Sequence, residues 1–522
     1  MSSPGPSEQD YPPDLSEERL LSLVAHIKDW QINHGSLLKL VRSETENSVL
    51  SQPVGVSCFP TLFPRARFQQ ALELQHIYNK LYCSVAEDEE WIYSALQDLI
   101  LVEPLAAALW SIYEAAKEAG LPSRNHISVG IFRSDYMLHT GDMSSVDSSD
   151  SPRSLSETTL KQVELNTFSC AGATHANKVV DMHRYLARSG VYDVGNTSFD
   201  LTSLPANNNI DSLASCLSLA HDTYGPPKSG LAKQTAVLFI VQPNNFNIAD
   251  ERPIEYALWN RPDPVPAYRL EFHSVLEHTR LAESRALLFQ PPWLASTTPV
   301  EISVVYLRAG YEADEYDPAG WEARLRLEMS TAIKCPSILS HLSTFKKIQQ
   351  ALTVPGALER FLSDSEAAAV RDTFVPLHPL DESKAGRHAR DLACDLERSD
   401  KYILKPSLEG GGHNIYGHEI PPFLRSIPEH QWSAYILMER IQPPLLTNLL
   451  MGPAGIEGGE VVSELGIVGC CLWERSSSPD RRCDLLHNAT AGWTFKTKHA
   501  DVDEMSVVKG YGCFDTPHLV DV

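Results

Sequence analysis

Apolar residues recur at helical spacing through the first part of the chain. Ser16, followed by Glu17 and Glu18, reads as a helix start, with Leu20, Leu21, Val24 and Ile27 on the inner face. Residues 60–64 are an extended entry to a long helical region, whose inner faces come from Phe68, Ala71, Leu72, Ile77, Tyr78 and Leu81, then from Leu96, Leu99, Leu105, Trp110 and Tyr113. The period then shortens. Residues 126–132 read as a strand that delivers Arg133, Ser134, Asp135 and Tyr136 at its end. In residues 160–167 a period of two places Gln162, Glu164 and Asn166 on one face and Val163 and Leu165 on the other. The runs 237–241 and 304–307 are apolar on both faces, which predicts parallel strands covered by helices, with helical stretches between them around Tyr256 and over 281–288. Residues 321–329 and 344–352 read as helices, and 358–396 as mostly helix and loop. Residues 434–441, 461–472 and about 494–498 read as strands of an antiparallel sheet.

Against this pattern, residues 403–417 stand out: an apolar run leads to Lys405, Glu409 and the triplet Gly410, Gly411 and Gly412. Glycines let backbone N–H groups turn toward an anion, a lysine adds a point charge for phosphate, and a carboxylate is a hard ligand for Mg²⁺. The same stretch also reads as a hairpin turn with solvated charges. Glu164 and Asn166 have a similar double reading, as two converging oxygen ligands for Mg²⁺ or as the polar face of an edge strand. The serine- and aspartate-rich segment 141–157 reads as a surface loop.

A chain of 522 residues has room for about three domains and a large core. Its 44 Lys+Arg against 67 Asp+Glu give a formal net charge of −23, which argues against nucleic acid as a partner and makes any anion site depend on local cations. Residues 1–15 read as a disordered tail without a basic or apolar targeting region, and no apolar run is long enough to span a bilayer. The 10 cysteines show no zinc-like spacing and read as reduced thiols of a cytoplasmic protein. Cys170 has no histidine in a recognisable pairing motif, so a packing role is expected for it.

An ordered set of motifs resembles the eukaryotic type of glutathione synthetase, an ATP-grasp ligase. It comprises Phe-Pro-Thr-Leu-Phe-Pro at 59–64, Arg-Ser-Asp-Tyr-Met at 133–137, Lys-Gln-Val-Glu-Leu-Asn-Thr at 161–167, Trp-Glu-Ala-Arg-Leu at 321–325 and Lys-Cys-Pro at 334–336. It continues with Leu-Lys-Pro and Glu-Gly-Gly-Gly within 404–412, Tyr-Ile-Leu-Met-Glu at 435–439 and Ser-Glu-Leu-Gly at 463–466. The resemblance implies an α/β (α+β) fold with an antiparallel main ATP-grasp sheet, a small parallel α/β substrate domain and a glycine-rich lid. The corresponding boundaries are a helical region with part of the main sheet over 16–235, the substrate domain over 236–335, and a nucleotide-binding region over 336–522 with the lid at about 375–460.

The resemblance also implies ATP and Mg²⁺ as cofactors, small-molecule acid and amine substrates, and a homodimer. Glu164, Asn166 and Glu409 would hold the metal. Lys346, Lys405 and Lys498 would lie on the ATP side, the glycine triplet would belong to the lid, and Asn414 and Tyr416 would sit against the nucleotide. Met438, Glu439, Arg440 and Ile441 would edge the adenine, and Glu464 would accept hydrogen bonds from the nucleotide. Arg133 would hold a substrate carboxylate or the acyl phosphate, and with Lys405 and Glu409 it forms the expected catalytic group. Ser169, Cys170, Asn245, Phe246, Asn247, Glu251, Arg308, Tyr311, Lys496, Val507 and Val508 fall on the substrate side.

The departures from the family pattern gather on that substrate side. The family's Glu-Arg-Asn is Asn245-Phe246-Asn247, and a following glutamine is Glu251. In Arg-x-Gly-Tyr-x-x-Arg the final arginine is Asp314. The arginine before Thr-Lys is Lys496, and a glycine- and alanine-rich loop reads Met505 to Gly510. Charge reversal and added side chains predict altered donor and acceptor substrates. Competing readings are an orthodox glutathione synthetase and a catalytically silent nucleotide-binding protein.

Overall fold

The computed structural model describes residues 11–40, 50–120, 127–141, 155–193, 198–293, 298–407, 413–453, 455–478 and 481–522. Glu409, the glycine triplet, residues 1–10 of the tail and most of the 141–157 segment lie outside these. The first helix, Glu17–His34, starts where expected: the Ser16 side chain accepts from the Arg19 N–H, and Gly35 ends the helix in the left-handed region at φ 63°. One residue of its inner face is corrected. Leu21 is 64% exposed and Leu23 is buried instead, because positions 20, 23, 24, 27 and 31 close one helical stripe and 21 stands about 100° away from Leu20.

The largest sheet has seven strands and is built on Gly455–Arg475, which pairs antiparallel with Cys483–His499 on one side and Ile127–His139 on the other. Thr159–Asn166 extends it beyond Ile127–His139. Alternation along Gly455–Arg475 serves two cores. Ile467, Cys471 and Trp473 join the core that includes Tyr78 and Tyr82 of helix Arg65–Ala86, whereas Val468, Cys470 and Leu472 join Leu213 and Leu217 of helix Asn209–Tyr224. Arg133 to Tyr136 are not at a strand end as expected. The strand runs on to His139 because ladders on both sides keep its backbone paired.

In the second sheet Thr235–Val241 and Val300–Leu307 pair in parallel and are buried at every position, as two-faced apolar runs predict. Residues 281–288, expected to be helical, instead form a hairpin between Thr279–Leu281 and Leu287–Phe289. The turn places Arg285 at φ 62° and returns the Ala282 N–H to the Ala286 carbonyl at 2.9 Å, a conformation that apolar spacing does not encode. A third, four-stranded sheet orders Leu377–Pro379, Tyr435–Glu439, Tyr402–Pro406 and Ile415–Tyr416. The 434–441 strand therefore does not join the sheet of 461–472 and 494–498. Its two faces feed small cores of their own, Leu437 with Leu404 and Leu380, Ile436 and Met438 with Val375 and Leu377. The three-residue strand within 358–396 is too short to show a period. Among the described residues no helix is long and apolar enough to cross a membrane.

Asp515 ties the main sheet to the segments around it. It is fully buried and accepts hydrogen bonds from Ser57, from Thr61 at 2.5 Å, from Thr497 at 2.6 Å and from the Thr516 N–H at 2.6 Å. Burial pushes its carboxyl up to about 6, and the hydrogen bonds only partly oppose this. A raised folded-state value means that the associated stability is complete below the ordinary carboxylate value and is lost as pH rises through about 6. Relative to Asp515→Asn, the wild type should lose about 2 kcal/mol between pH 4 and 7 in denaturant titrations. A pH-independent difference would contradict the buried, protonatable site.

Candidate active site

The three sheets surround one cavity of about 2290 Å³. Strands Ile127–His139 and Thr159–Asn166 supply Arg133, Glu164 and Asn166; Tyr402–Pro406 supplies Lys405; and the long antiparallel pair supplies Glu464, Lys496 and Lys498. A bulge adjusts the expected alternation. Asn166 pairs with Arg133 and Glu164 with Asp135, but the next pair is Gln162 with Tyr136, leaving Val163 extra. Gln162 thus leaves the face of Glu164 and Asn166: it is buried, bonded by Gln349 at 3.3 Å, and is not part of the cavity lining.

Glu164 and Asn166 anchor the polar end of the cavity. The Glu164 carboxylate lies 3.4 Å from Lys346 Nζ, and the Asn166 amide donates to Glu164 at 3.2 Å and to Asp135 at 3.1 Å. Those donations turn the Asn166 amide oxygen away from both acids. Burial alone would raise the Glu164 carboxyl, but Lys346, Lys405 and Arg133 overcome it and hold the group well below the usual carboxylate range. Burial lowers the Lys405 ammonium, with Glu164 opposing, and its Nζ donates to the Val163 carbonyl at 3.1 Å. Arg133 is held by Asp135 through Nε and Nη2, both at 2.7 Å, and donates from Nη1 to the Ala171 carbonyl at 2.8 Å. Gly466 makes room for that pair, since a Cβ there would collide with the Asp135 carboxylate and crowd Arg133.

No cluster of three or more His, Cys, Asp or Glu able to hold a metal occurs among the described residues. A carboxylate and an amide oxygen on one strand face suit a hard divalent cation, and Glu409, the third expected ligand, lies outside the described residues.

On neighbouring strands of the same sheet, Lys496 pairs with Glu464 at 2.5 Å, and Lys498 donates to the Val502 and Asp503 carbonyls, the latter at 2.8 Å. Tyr416 donates to the Asp503 carbonyl at 3.0 Å, the Asn414 N–H donates to Glu504 at 3.3 Å, and Arg440 reaches Asp503 at 3.7 Å. Arg440 and Ile441 line the cavity, whereas Met438 is buried in the small core beside it and Glu439 pairs with Tyr402.

The remaining wall holds Ser169, Cys170, Asn245, Phe246, Asn247, Glu251, Arg308, Tyr311, Asp314, Val507 and Val508. Glu251 is not the loose acid that its sequence position suggests. It accepts from Arg308 at 3.3 Å, from Arg269 at 2.9 Å and from Asn245 at 2.7 Å. Asp314 is exposed at the rim and has no ion-pair partner among the described residues. Sequence reasoning named Asp135 without giving it a role and missed Asp250, Arg269, Asp503 and Glu504. Asp135 was within reach, since a period of two puts it on the face of Arg133; Arg269 was not, because the parallel pairing of Ala267–Glu271 with Thr235–Val241 brings it to Glu251.

All ten cysteines are free thiols, and only Cys394 escapes full burial. Cys170 points its Sγ to the carbonyls of Ile131 and Asn166, each at 3.4 Å, surroundings that disfavour a thiolate. A disulfide reagent such as Ellman's should therefore label Cys394 at least about tenfold faster than any other cysteine of the native protein. Rapid labelling of Cys170, mapped by peptide mass, would contradict a packing role.

The family model described as eukaryotic glutathione synthase, ATP binding domain, matches residues 17–519. The chain is 32% identical to the glutathione synthetase large chain of Schizosaccharomyces pombe, covering 98% of this chain and 99% of that one. It is 31% identical to the glutathione synthetase of Homo sapiens, over 97% and 98% of the two chains. A solved structure of a glutathione synthetase-like effector from Globodera pallida superposes with a TM-score of 0.70 at 20% identity, over 97% of this chain and 98% of that one. The chain belongs to the eukaryotic glutathione synthetase family, a family of ATP-grasp ligases.

Proposed function

We propose that the protein is an ADP-forming carboxylate–amine ligase that works through an acyl phosphate, with donor and acceptor substrates different from those of glutathione synthesis. The observation that carries this reading is the contrast within one cavity. Glu164, Asn166, Lys405 and Lys498, with Lys346 paired to Glu164, make a group suited to phosphate, while another part of the wall presents Phe246, Arg308 held in ion pairs and exposed Asp314. A carboxylate is a poor electrophile until phosphorylated, and Mg²⁺, held by Glu164, Asn166 and Glu409, would neutralise charge on the transferring phosphoryl group. Lys405 and Lys346 add fixed positive charge at the same place, and Arg133, held rigid by Asp135, orients the reacting carboxylate or its phosphate. Asn414, Tyr416, Arg440, Ile441 and Glu464 bound the nucleotide. The segment of about 375–460, with the glycine triplet, acts as a lid that excludes water from the acyl phosphate.

The substrate wall supports a donor whose far end is apolar or cationic and an acceptor larger than glycine, held by Lys496 and Lys509. A homodimer in the cytoplasm is part of the same proposal, by analogy with the family. The second reading, an orthodox glutathione synthetase, is favoured by the full-length similarity to enzymes of that name.

Purified protein screened against acids and amines should release ADP and phosphate, not AMP and pyrophosphate. Glu164→Gln and Glu409→Gln should each lower turnover about a hundredfold or more without loss of fold, since each removes one negative ligand from the phosphate-facing group. γ-Glutamylcysteine with glycine should be a poor pair, because each missing cationic hydrogen bond costs about 1.5–3 kcal/mol. Glutathione formation as the preferred reaction in the screen would select the orthodox reading, and near-normal turnover of Glu409→Gln would remove the metal assignment.

A further inference from the structure

The loop after Asn166 has two consecutive carbonyls, one taken by part-buried Arg133 of the main sheet and the other by buried Arg308, just beyond a strand of the second sheet. Ala171 accepts from Arg133 and Cys170 accepts from Arg308, the latter at 2.6 Å. The two guanidinium groups flank the loop like a matched pair of anion sites, yet their surroundings differ. Arg133 sits at the phosphate-facing end beside a single bidentate acid. Arg308 is only 3% exposed, and every one of its nitrogens faces a protein acceptor: Nε meets Glu251, Nη1 the Cys170 carbonyl, and Nη2 Asp250 at 3.6 Å.

Arg308 has no charge to spare for an anion. Arg269 and Arg308 meet the nearly buried acids Asp250, Glu251 and Glu255, and the half-exposed Arg252 meets Glu255 from outside at 2.6 Å, so three acids are matched by three arginines within the group. Asp250 is further engaged by the N–H groups of Gly172 and Thr174 at the start of helix Ala173–Arg188, at 2.9 and 3.0 Å. Glu251 is the hub of the group. One oxygen takes Arg308 and the other takes Arg269 and Asn245, and Asn245 in turn fixes the adjacent loop by accepting from the Asn247 N–H at 2.8 Å. The rim over this wall adds the exposed acids Glu312 and Asp314.

We propose that Glu251 is a specificity-determining residue: it keeps Arg308 closed in an internal ion pair, so that the cavity end between residues 245–247 and 311–314 accepts a neutral or cationic group and rejects a carboxylate. The inference rests on the ligase reading in taking this end as the site of the donor's non-reacting part. A carboxylate entering here would have to displace Glu251 from Arg308 and leave it sharing Arg269 with buried Glu255, which is costly in surroundings that exclude water. An amide, hydroxyl or ammonium at the same place finds the Glu251, Asn245 and Asp314 oxygens without that exchange. Glu251 acts through Arg308, so removing its charge should reverse the preference, whereas loss of a merely structural contact would weaken all donors alike.

The test uses two donors with the same reacting carboxylate, γ-glutamylcysteine and its derivative carrying a primary carboxamide in place of the glutamyl α-carboxylate. Binding is read by calorimetry with a non-hydrolysable ATP analogue and Mg²⁺, and turnover by ADP release. Wild-type protein should bind the carboxamide about tenfold or more tightly than the dicarboxylate, a comparison that needs no variant to fold. Glu251→Gln, with an unchanged circular dichroism spectrum, should reverse the order, with the dicarboxylate gaining about tenfold and ATP-analogue affinity unchanged. Equal binding of the two donors by the wild type, binding of neither, or a wild-type preference for the dicarboxylate overturns the inference. So does an unchanged order in a folded Glu251→Gln. The expected binding order without ADP release from any acid supports the specificity inference and removes the ligase chemistry, so the two fail separately.

Discussion

The antiparallel register of Gly455–Arg475 with its two neighbours is the constraint on which the cavity depends. Pairing sets Glu464 opposite Lys496, Val462 opposite Lys498, Gly466 opposite Asp135 and Thr494, and Val468 opposite Arg133. Because side chains alternate, a slip of one residue would turn the lysines and Arg133 toward the core of Tyr78 and Tyr82, bring Ile467 to the cavity face and force Trp473 into the core of helix Asn209–Tyr224. The register is secured from behind by those same core residues and by Asp515, whose hydrogen bonds join Thr497 to Ser57 and Thr61. Core packing and site geometry are therefore one requirement: the face that buries the tryptophans fixes the face that carries the charges.

A protein of net charge −23 can hold an anionic substrate only where cations are concentrated, and here those cations already have partners. Lys346 and Lys405 face Glu164, Lys496 faces Glu464, Arg133 faces Asp135 and Arg308 faces Glu251. Each pairing offsets the cost of burying a charge in the absence of ligand, so ligand binding is an exchange of partners and not a simple attraction. The pairs differ in what exchange would leave behind. Releasing Lys405 or Lys346 leaves Glu164 able to meet a divalent cation, whereas releasing Arg308 leaves Glu251 with Arg269 alone among three buried acids. That asymmetry separates the end of the cavity proposed to face phosphate from the proposed substrate wall.

Much of this was legible in the chain. Period-two alternation put Glu164 and Asn166 on one face, two-faced apolar runs identified the parallel strands, and ordered motifs led to the family. What escaped was information that local pattern does not carry. The bulge at Val163 needs the partner strand to be seen, and so does the assignment of Tyr435–Glu439 to a separate sheet. The hairpin at 281–288 depends on a left-handed arginine, and Leu21 differs from Leu20 only in its angle around a helix. Glu251 shows the limit most clearly. Its substitution was visible as added negative charge, but its consequence, the capture of Arg308 and Arg269, follows only from strands distant in sequence meeting in one sheet.

The proposed acyl-phosphate chemistry is open to one direct measurement. Turnover of an acid that supports ADP release, with both carboxylate oxygens replaced by oxygen-18, should deliver one labelled oxygen to inorganic phosphate and retain the other in the amide product, because an acyl phosphate loses its bridging oxygen with the phosphate. Labelled amide with unlabelled phosphate would show that the carboxylate never bonds to the transferred phosphoryl group, and would contradict the role given to Glu164, Lys346, Lys405 and Arg133.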